Sequence, residues 1–272
     1  MLATFHDATA ADYPEFARLF PELATGDPVP TREGWLQDFA PTTFLARSGG
    51  AVVGYAFYRV LSAVGYVANV VVDPGQRGRG FGKGIMGELA RRFRAAGAVE
   101  WCLNVKPDNT AAIALYRSVG MRHAHDSVVL RLSWEQVERL PVQRGTAARE
   151  IRPNEDERVR VAFALLDGKL AELRLHAERR TLGLFDGDEP RGVAGLNLAF
   201  APGVMGAFPF RVARIELSRN LFDAMRACGG PEHVRVQAVV EDDAPLVDYL
   251  LAVGAGVHLK VEHHRGLVPA GS

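Results

Sequence analysis

The chain has 272 residues, with 32 Lys and Arg against 32 Asp and Glu, 28 Gly and only 2 Cys. That length admits one large domain or two of about 130 residues, the composition excludes disorder, collagen and coiled coil, and the zero net charge excludes a general nucleic-acid binder, which needs a basic footprint. Cys102 and Cys228 cannot make a disulfide framework and fit a reducing, cytoplasmic setting; no apolar run approaches the roughly 20 residues that span a bilayer, and the N-terminus lacks a basic stretch leading into an apolar one.

Ala3–His6 reads as a short strand. Thr9 then caps a helix with Phe16, Leu19 and Phe20 on one face, which Pro21, Pro28 and Pro30 prevent from continuing. Thr31 caps a second short helix carrying Trp35, Leu36 and Phe39. Thr43–Arg47 and Ala51–Val60 read as strands joined by a glycine turn, and Gly65–Val72 as a third strand whose all-apolar end suggests burial on both faces. Residues 73–84 form a glycine-rich loop. The helix after it carries Ile85, Met86, Leu89, Ala90 and Phe93 at helical spacing and stops near Gly97. Val99–Val105 is a strand, Asp108 or Asn109 opens a helix that Gly120 ends, and Ser127–Leu132 is a closing strand. The order predicts mixed α/β, with a parallel strand pair at each crossover helix.

The strongest chemical signal is Arg77-Gly78-Arg79-Gly80-Phe81-Gly82-Lys83-Gly84, between a buried strand and a helix. The first amides of a helix lack internal partners and carry partial positive charge, so glycines that admit a ligand there make a phosphate or pyrophosphate site. Lys83 is followed by Gly84, which excludes a Walker loop. The dinucleotide spacing G-x-G-x-x-G fails at Lys83 and at Ile85.

Val72-Asp73-Pro74 with Arg77, Gly80 and Gly82 resembles motif A (Gln/Arg-x-x-Gly-x-Gly/Ala) of the GCN5-related N-acetyltransferase (GNAT) superfamily. Asn104-Val105-Lys106-Pro107-Asp108-Asn109, followed by Ala112, Leu115-Tyr116 and Gly120-Met121, is similar to its motif B. The resemblance covers about residues 3–132. It implies a mostly antiparallel sheet with a splayed parallel pair, Asn69–Asp73 and Val99–Val105, and acetyl-CoA as cosubstrate in the gap. The pyrophosphate would lie on the amides of Arg77, Gly78, Arg79, Gly80, Phe81, Gly82 and Lys83. Main chain along Val70, Val71 and Val72 would hold the thioester carbonyl and the pantetheine arm. Asn109 matches the asparagine that contacts the cofactor, and reads equally as an N-cap. Tyr116 matches the tyrosine that serves as general acid to the departing thiolate; the alternative is a core aromatic. The family's glutamate near the start of the motif-A strand has no counterpart in Tyr66-Val67-Ala68-Asn69. Asn69 or Tyr66 would then position a water, with Glu22 or Asp27 helping from the acceptor side.

Residues 135–150 read as a linker between a catalytic domain, 1–134, and a second domain, 151–266, in which the pattern restarts. A helix over Val159–Leu175 precedes strands at Arg180–Phe185, Arg191–Ala199 and Ala207–Ile215, a helix Glu216–Ala227, a strand His233–Val240 and a helix ending at Val253-Gly254. The second domain looks like a degenerate GNAT repeat. Ala213-Arg214-Ile215-Glu216-Leu217-Ser218 replaces the glycine loop, Leu250 stands for Tyr116 and Asp243 for Asn109. His258, His263 and His264 on a last strand read as edge or surface residues, with no Cys or carboxylate pattern to complete a metal site, and His123 and His125 share a face after motif B, towards the acceptor side. Residues 267–272, LVPAGS, look like a protease-site scar and are set aside from fold reasoning.

The sequence thus predicts a tandem N-acetyltransferase, monomeric as an internal pseudo-dimer or homodimeric. It would act on a small-molecule or peptide amine, with no metal, nucleic acid or membrane. The alternatives are a non-catalytic acyl-CoA-binding sensor and an interaction scaffold.

Overall fold

The structure, a computed structural model, describes residues 3–270. Two compact units share the chain: one runs up to Ala124 and resumes at Glu262, the other is His125–Val261.

The first unit opens with β1 (Thr4–Asp7), a 3-10 turn and α1 (Tyr13–Leu19). α2 (Arg32–Gly34) runs on into a π turn, Trp35–Phe39. Strands β2 (Thr43–Ser48), β3 (Ala51–Leu61) and β4 (Val64–Val72) follow, then α3 (Phe81–Ala95), β5 (Glu100–Val105) and α4 (Thr110–Ser118). β4 and β5 are parallel, whereas β1–β2, β2–β3 and β3–β4 are antiparallel. Beside β5 lies the end of the last strand, with Glu262 opposite Val105 and Leu267 opposite Glu100.

Side-chain periodicity decides which helix covers which face. Ile85, Met86, Leu89 and Phe93 recur at helical spacing on α3 and are fully buried against Phe44, Ala56, Val67, Trp101 and Leu103. Each such side chain contributes about 1.5–3 kcal/mol on burial. Phe16, Leu19 and Trp35 cover the other face, against Leu45, Tyr55, Phe57 and Val71.

The second unit takes most of β6 (Arg122–Ser133), then α5 (Trp134–Glu138), β7 (Ala147–Glu150), α6 (Asp156–Ala162) and α7 (Lys169–Leu173). β8 (Arg179–Asp186), β9 (Glu189–Ala201), β10 (Val204–Val212), α8 (Ser218–Cys228), β11 (Arg235–Glu241), α9 (Ala244–Ala252) and the start of β12 (Gly256–Leu267) complete it. Its parallel pair is β10/β11; β7–β8, β8–β9, β9–β10 and β6–β11 are antiparallel. Phe210 stacks on Phe222 with centroids 4.5 Å apart, in a core with Leu221 and Met225.

Four expectations need correction, the first being His264, read as an edge or surface residue but fully buried opposite Leu103 of β5. Residues 135–150, expected as linker, hold most of α5 and all of β7, with Val137 and Leu140 buried, because their apolar side chains have a core to enter. The helix expected over Val159–Leu175 is two helices, broken where Ala164 takes a φ of 48°. The tail set aside at 267 is partly structural: Leu267 ends β12, the Val268 amide donates to Val99 at 3.0 Å, and Arg94 bonds the Pro269 carbonyl.

Candidate active site

The site begins where β4 and β5 part. Their register runs from Val64–Glu100 to Val67–Leu103 and stops there. On β4's other side, Phe57 faces Asn69 while Tyr58 faces Val67, so Ala68 is an extra, bulged residue. A bulge bends its strand and re-aims side chains. Here it turns both Ala68 and Asn69 to the α1 face, since Asn69 pairs with Phe57, whose ring lies in the α1-side core. Beyond the bulge, β4 continues through Val70, Val71 and Val72 along β3 only. β4 therefore has no parallel strand partner along Val70–Val72, the stretch where the resemblance implied the pantetheine arm.

The glycine loop starts at the end of β4. Asp73 accepts from the Gly75 amide at 2.9 Å and pairs with Arg18 of α1 at 2.5 Å. The Arg18 guanidinium holds the Asp73 carboxyl below the usual carboxylate range. Gly78 and Gly80 have φ of 76° and 84°, values an L side chain rarely adopts, and Gly80 is the N-cap of α3 with no side-chain cap. Among the described residues, the amides of Gly78, Arg79, Gly80, Phe81, Gly82 and Lys83 donate to no protein acceptor, and the Gly84 amide closes the first turn on Gly80 at 3.1 Å. These open donors at a helix N-terminus suit a pyrophosphate. A Cβ on Gly82 would lie 3.0 Å from Leu115 of α4, so the loop packs tightly on that helix.

The cations divide. Lys83 is exposed on the first turn of α3. Arg79 bonds Gln76 at 3.2 Å. Arg77 donates through Nε to the Val72 carbonyl at 3.2 Å and pairs with Glu22 at 2.7 Å. Glu22, considered for the acceptor side, is thus held against the loop, and Asp27 is exposed.

Asn109 caps α4, its side chain accepting from the Ala112 amide at 3.1 Å. Tyr116 is 7% exposed within the α3-side core, and burial pushes its phenol up to about 12. Its hydroxyl donates to nothing among the described residues and, unlike that of Tyr55, is not sealed from solvent. At neutral pH this hydroxyl is fully protonated and able to donate.

Two sets of contacts were not foreseen from the sequence. Lys106, just past β5, bonds the Ala24 carbonyl and ties the α1–α2 loop to that lip of the opening. Asn104 joins Tyr66 (3.5 Å) and His263 of β12 (2.9 Å) across three neighbouring strands. Strand alternation put Asn104 on the face opposite α3, but no local pattern announced that β12 would return beside β5.

The acetyltransferase (GNAT) family model matches residues 5–121. Over 121 residues the chain is 39% identical to the N-alpha-acetyltransferase RimI of Mycobacterium tuberculosis, covering 42% of this chain and 75% of that protein. Three further curated relatives are spanned over less than half of their own length. In fold, a GCN5-related N-acetyltransferase from Sphaerobacter thermophilus superposes with TM-score 0.68 at 20% identity, over 99% of this chain and 97% of that one. A tandem GNAT protein from the clavulanic acid biosynthesis pathway does so with TM-score 0.63 at 18% identity, over the whole of both chains. Among the described residues no helix is long and apolar enough to cross a membrane, and no His, Cys, Asp and Glu group forms a metal site. The chain belongs to the acetyltransferase (GNAT) family, acetyl-CoA-dependent enzymes that pass an acyl group to an amine.

Proposed function

We propose that the first unit transfers an acetyl group from acetyl-CoA to a primary amine by direct attack, and that the second unit, 125–261, is a GNAT-like frame without CoA chemistry. The observation that carries this is the coincidence, at one end of β4, of an opened parallel pair with a run of amides at Gly78–Lys83 that have no acceptor among the described residues. The amides and the start of α3 hold the pyrophosphate, with Lys83 and Arg79 adding charge. Arg77 braces the loop through Val72 and Glu22. Main chain at Val70–Val72 orients the thioester carbonyl and stabilises negative charge on its oxygen; donors aimed at a developing oxyanion are commonly a large catalytic term. Asn69, turned to the α1 face by the bulge, orients the amine or its water. Tyr116 gives its proton to the sulfur as the C–S bond breaks. Asn109 fixes the start of α4, and so the place of Tyr116.

In the second unit, Ala213–Ser218 enters α8 through a 3-10 turn with Leu217 and Ser218 buried. Leu250 occupies the position of Tyr116, fully buried.

Calorimetric titration with acetyl-CoA and a CoA-release assay over diamines, amino acids and peptide N-termini test the reading. Binding with release supports it. Binding without release on any amine makes the chain an acyl-CoA sensor, and no heat at high concentration makes it a scaffold; either result overturns the enzyme.

A further inference from the structure

The second unit has an opening of its own. Parallel pairing of β10 and β11 ends at Ala207–Ala238; beyond it Phe210, Arg211 and Val212 pair with β9 alone, and Val239, Val240 and Glu241 with β6 alone. A cavity of about 300 Å³ lies in the gap, a size that admits a small ligand. Both faces of the sheet line it. Phe210, Val240 and Leu246 belong to the α8-side core, whereas Arg211 stands opposite Val193, which shares the other core with Phe163. We propose that this cavity binds a free α-amino acid with an apolar side chain, a site built by the second unit alone.

The lining supplies a partner for each part of such a zwitterion. Arg211 gives Nη2 to Glu241 at 2.7 Å, and neither its buried Nε nor its Nη1 donates to an acceptor among the described residues. A guanidinium presents five donors in a fork that matches a carboxylate, so Arg211 keeps donors for one. Ser127, directly opposite Glu241 on β6 and 2% exposed, adds on the same face an Oγ with no hydrogen-bond partner.

The charge left over is negative. Glu241 is paired with Arg211 and approached by His125 at 3.8 Å, and Arg158 and Arg160 of α6 pair with Glu155 and Glu157. Asp243 gives one oxygen to the Leu246 amide at 3.0 Å, and the exposed Asp242 carboxylate makes no bond among the described residues. The last carbonyls of a helix have no partner within it; those of Ala162, Phe163 and Ala164, where α6 ends on the cavity, accept no hydrogen bond among the described residues. Two aspartates and these carbonyls suit an ammonium. Phe163, Phe210, Val240 and Leu246 leave an apolar wall for the side chain. A plain amine leaves the spare Arg211 donors unanswered, and a plain carboxylate meets Asp242 and Asp243 as like charges; the zwitterion answers both.

Calorimetric titration of the full chain with L-leucine, L-methionine and L-phenylalanine tests this, with isoamylamine and isocaproate as leucine stripped of one charged group each. At least one of the three amino acids is expected to give saturable heat, and both stripped compounds to bind at least about tenfold more weakly. Arg211→Gln and Asp242→Asn each weaken amino-acid binding about 10- to 100-fold, as for a lost hydrogen bond to a charged group, with acetyl-CoA affinity unchanged. Asn69→Ala, in the first unit, leaves amino-acid binding unchanged. No heat with any of the three at millimolar concentration overturns the proposal, as does isoamylamine or isocaproate binding as tightly as leucine. Amino-acid binding that Asn69→Ala abolishes, or that survives both Arg211→Gln and Asp242→Asn, belongs to another site and overturns it too. If Arg211→Gln fails to fold, Asp242→Asn decides alone, since that side chain is exposed and holds nothing in the fold. A chain that binds an amino acid in this way but no acetyl-CoA brings down the acyl-transfer reading and leaves this site standing.

Discussion

The two units use the same frame and differ at one corner of it. Each has one parallel pair, and in each the pairing stops at a bulge: at Ala68 after Val67–Leu103, and at Phe208-Pro209 after Ala207–Ala238. Each has a glycine on the neighbouring strand whose Cβ would lie 2.4 Å from a carbonyl of the bulged strand, Gly54 against Val71 and Gly195 against Phe208. Each caps its last helix alike, Asn109 to Ala112 at 3.1 Å and Asp243 to Leu246 at 3.0 Å. What differs is the entry to the middle helix, open glycine amides in one and buried Leu217 and Ser218 in the other. Bulge, close-approach glycine and cap therefore answer to the backbone of the fold, whereas that shared frame does not account for the glycine loop.

The largest way to break this comparison is to damage the frame of the second unit. Phe222→Ala removes a fully buried ring stacked on Phe210 and is expected to cost about 3–5 kcal/mol, read by denaturant unfolding. If the second unit is frame alone, the folded protein keeps its acetyl-CoA affinity. A fall in that affinity would place part of the site in the second unit. Next in size is Tyr116→Phe, expected to lower kcat about 10²-fold while acetyl-CoA affinity holds. Loss of affinity at unchanged kcat would return Tyr116 to the core as a packing residue. Because burial pushes its hydroxyl up to about 12, no alkaline fall in kcat assignable to Tyr116 is expected below about pH 11. Leu250→Tyr, the mirror change, brings no activity, and burying an unpartnered hydroxyl there costs about 1–3 kcal/mol.

What the sequence made legible follows from how local each signal is. Helical spacing of Ile85, Met86, Leu89 and Phe93, the caps at Thr31 and Asn109 and the glycine loop act within a few residues, and each stands where expected. The linker error came from reading 135–150 as polar, when Val137 and Leu140 supply the contacts that matter. The break at Ala164 rests on a left-handed residue that no glycine advertised. The Glu22–Arg77 pair joins residues 55 apart, and Asn104–His263 joins residues 159 apart. Such pairings are created by strand order, which one sequence does not display, so the contacts between distant strands were the least legible part of the site.

A smaller effect is expected at Gly80, whose φ of 84° makes Gly80→Val a strained left-handed position. The strain is about 1–2 kcal/mol and works against the geometry of the open amides, so acetyl-CoA affinity should fall about tenfold. Leu217→Gly in the second unit should create no such affinity, since a glycine there still meets a closed 3-10 turn. Equal calorimetric titrations for Gly80→Val and wild type would mean the loop does not carry the pyrophosphate.

The smallest expected effect separates two buried acids that look like twins. Asp12 and Glu155 each end the opening 3-10 turn of their unit, each is 6% exposed, and each accepts the amide three residues earlier at 2.9 Å. Each also meets an arginine from a neighbouring strand, Arg47 at 3.1 Å and Arg149 at 2.6 Å. They differ in how the charge is held. Arg149 grips Glu155 with two nitrogens, at 2.6 and 2.7 Å, and Arg158 adds a third contact. The Arg149 hydrogen bond, then the Arg152 amide, hold the Glu155 carboxyl down at about 2. At Asp12, burial works upward against the Thr9 bonds that lower it, and the net shift is a modest lowering. A carboxylate held below its unfolded value, about 4.3 for glutamate, stabilises the fold above that pH. The contribution is lost as pH falls towards about 2, because the unfolded chain takes up its proton first. Wild type and Glu155→Gln should therefore differ in stability above about pH 5 and converge as the pH drops to about 2.5, whereas wild type and Asp12→Asn should converge over a narrower span and by less. Denaturant unfolding at steps through that range reads the gap directly. Curves for Glu155→Gln that stay parallel to wild type would show that the Arg149 grip does not set the acid sensitivity of the second unit, and the twin acids would then be equivalent parts of the shared frame.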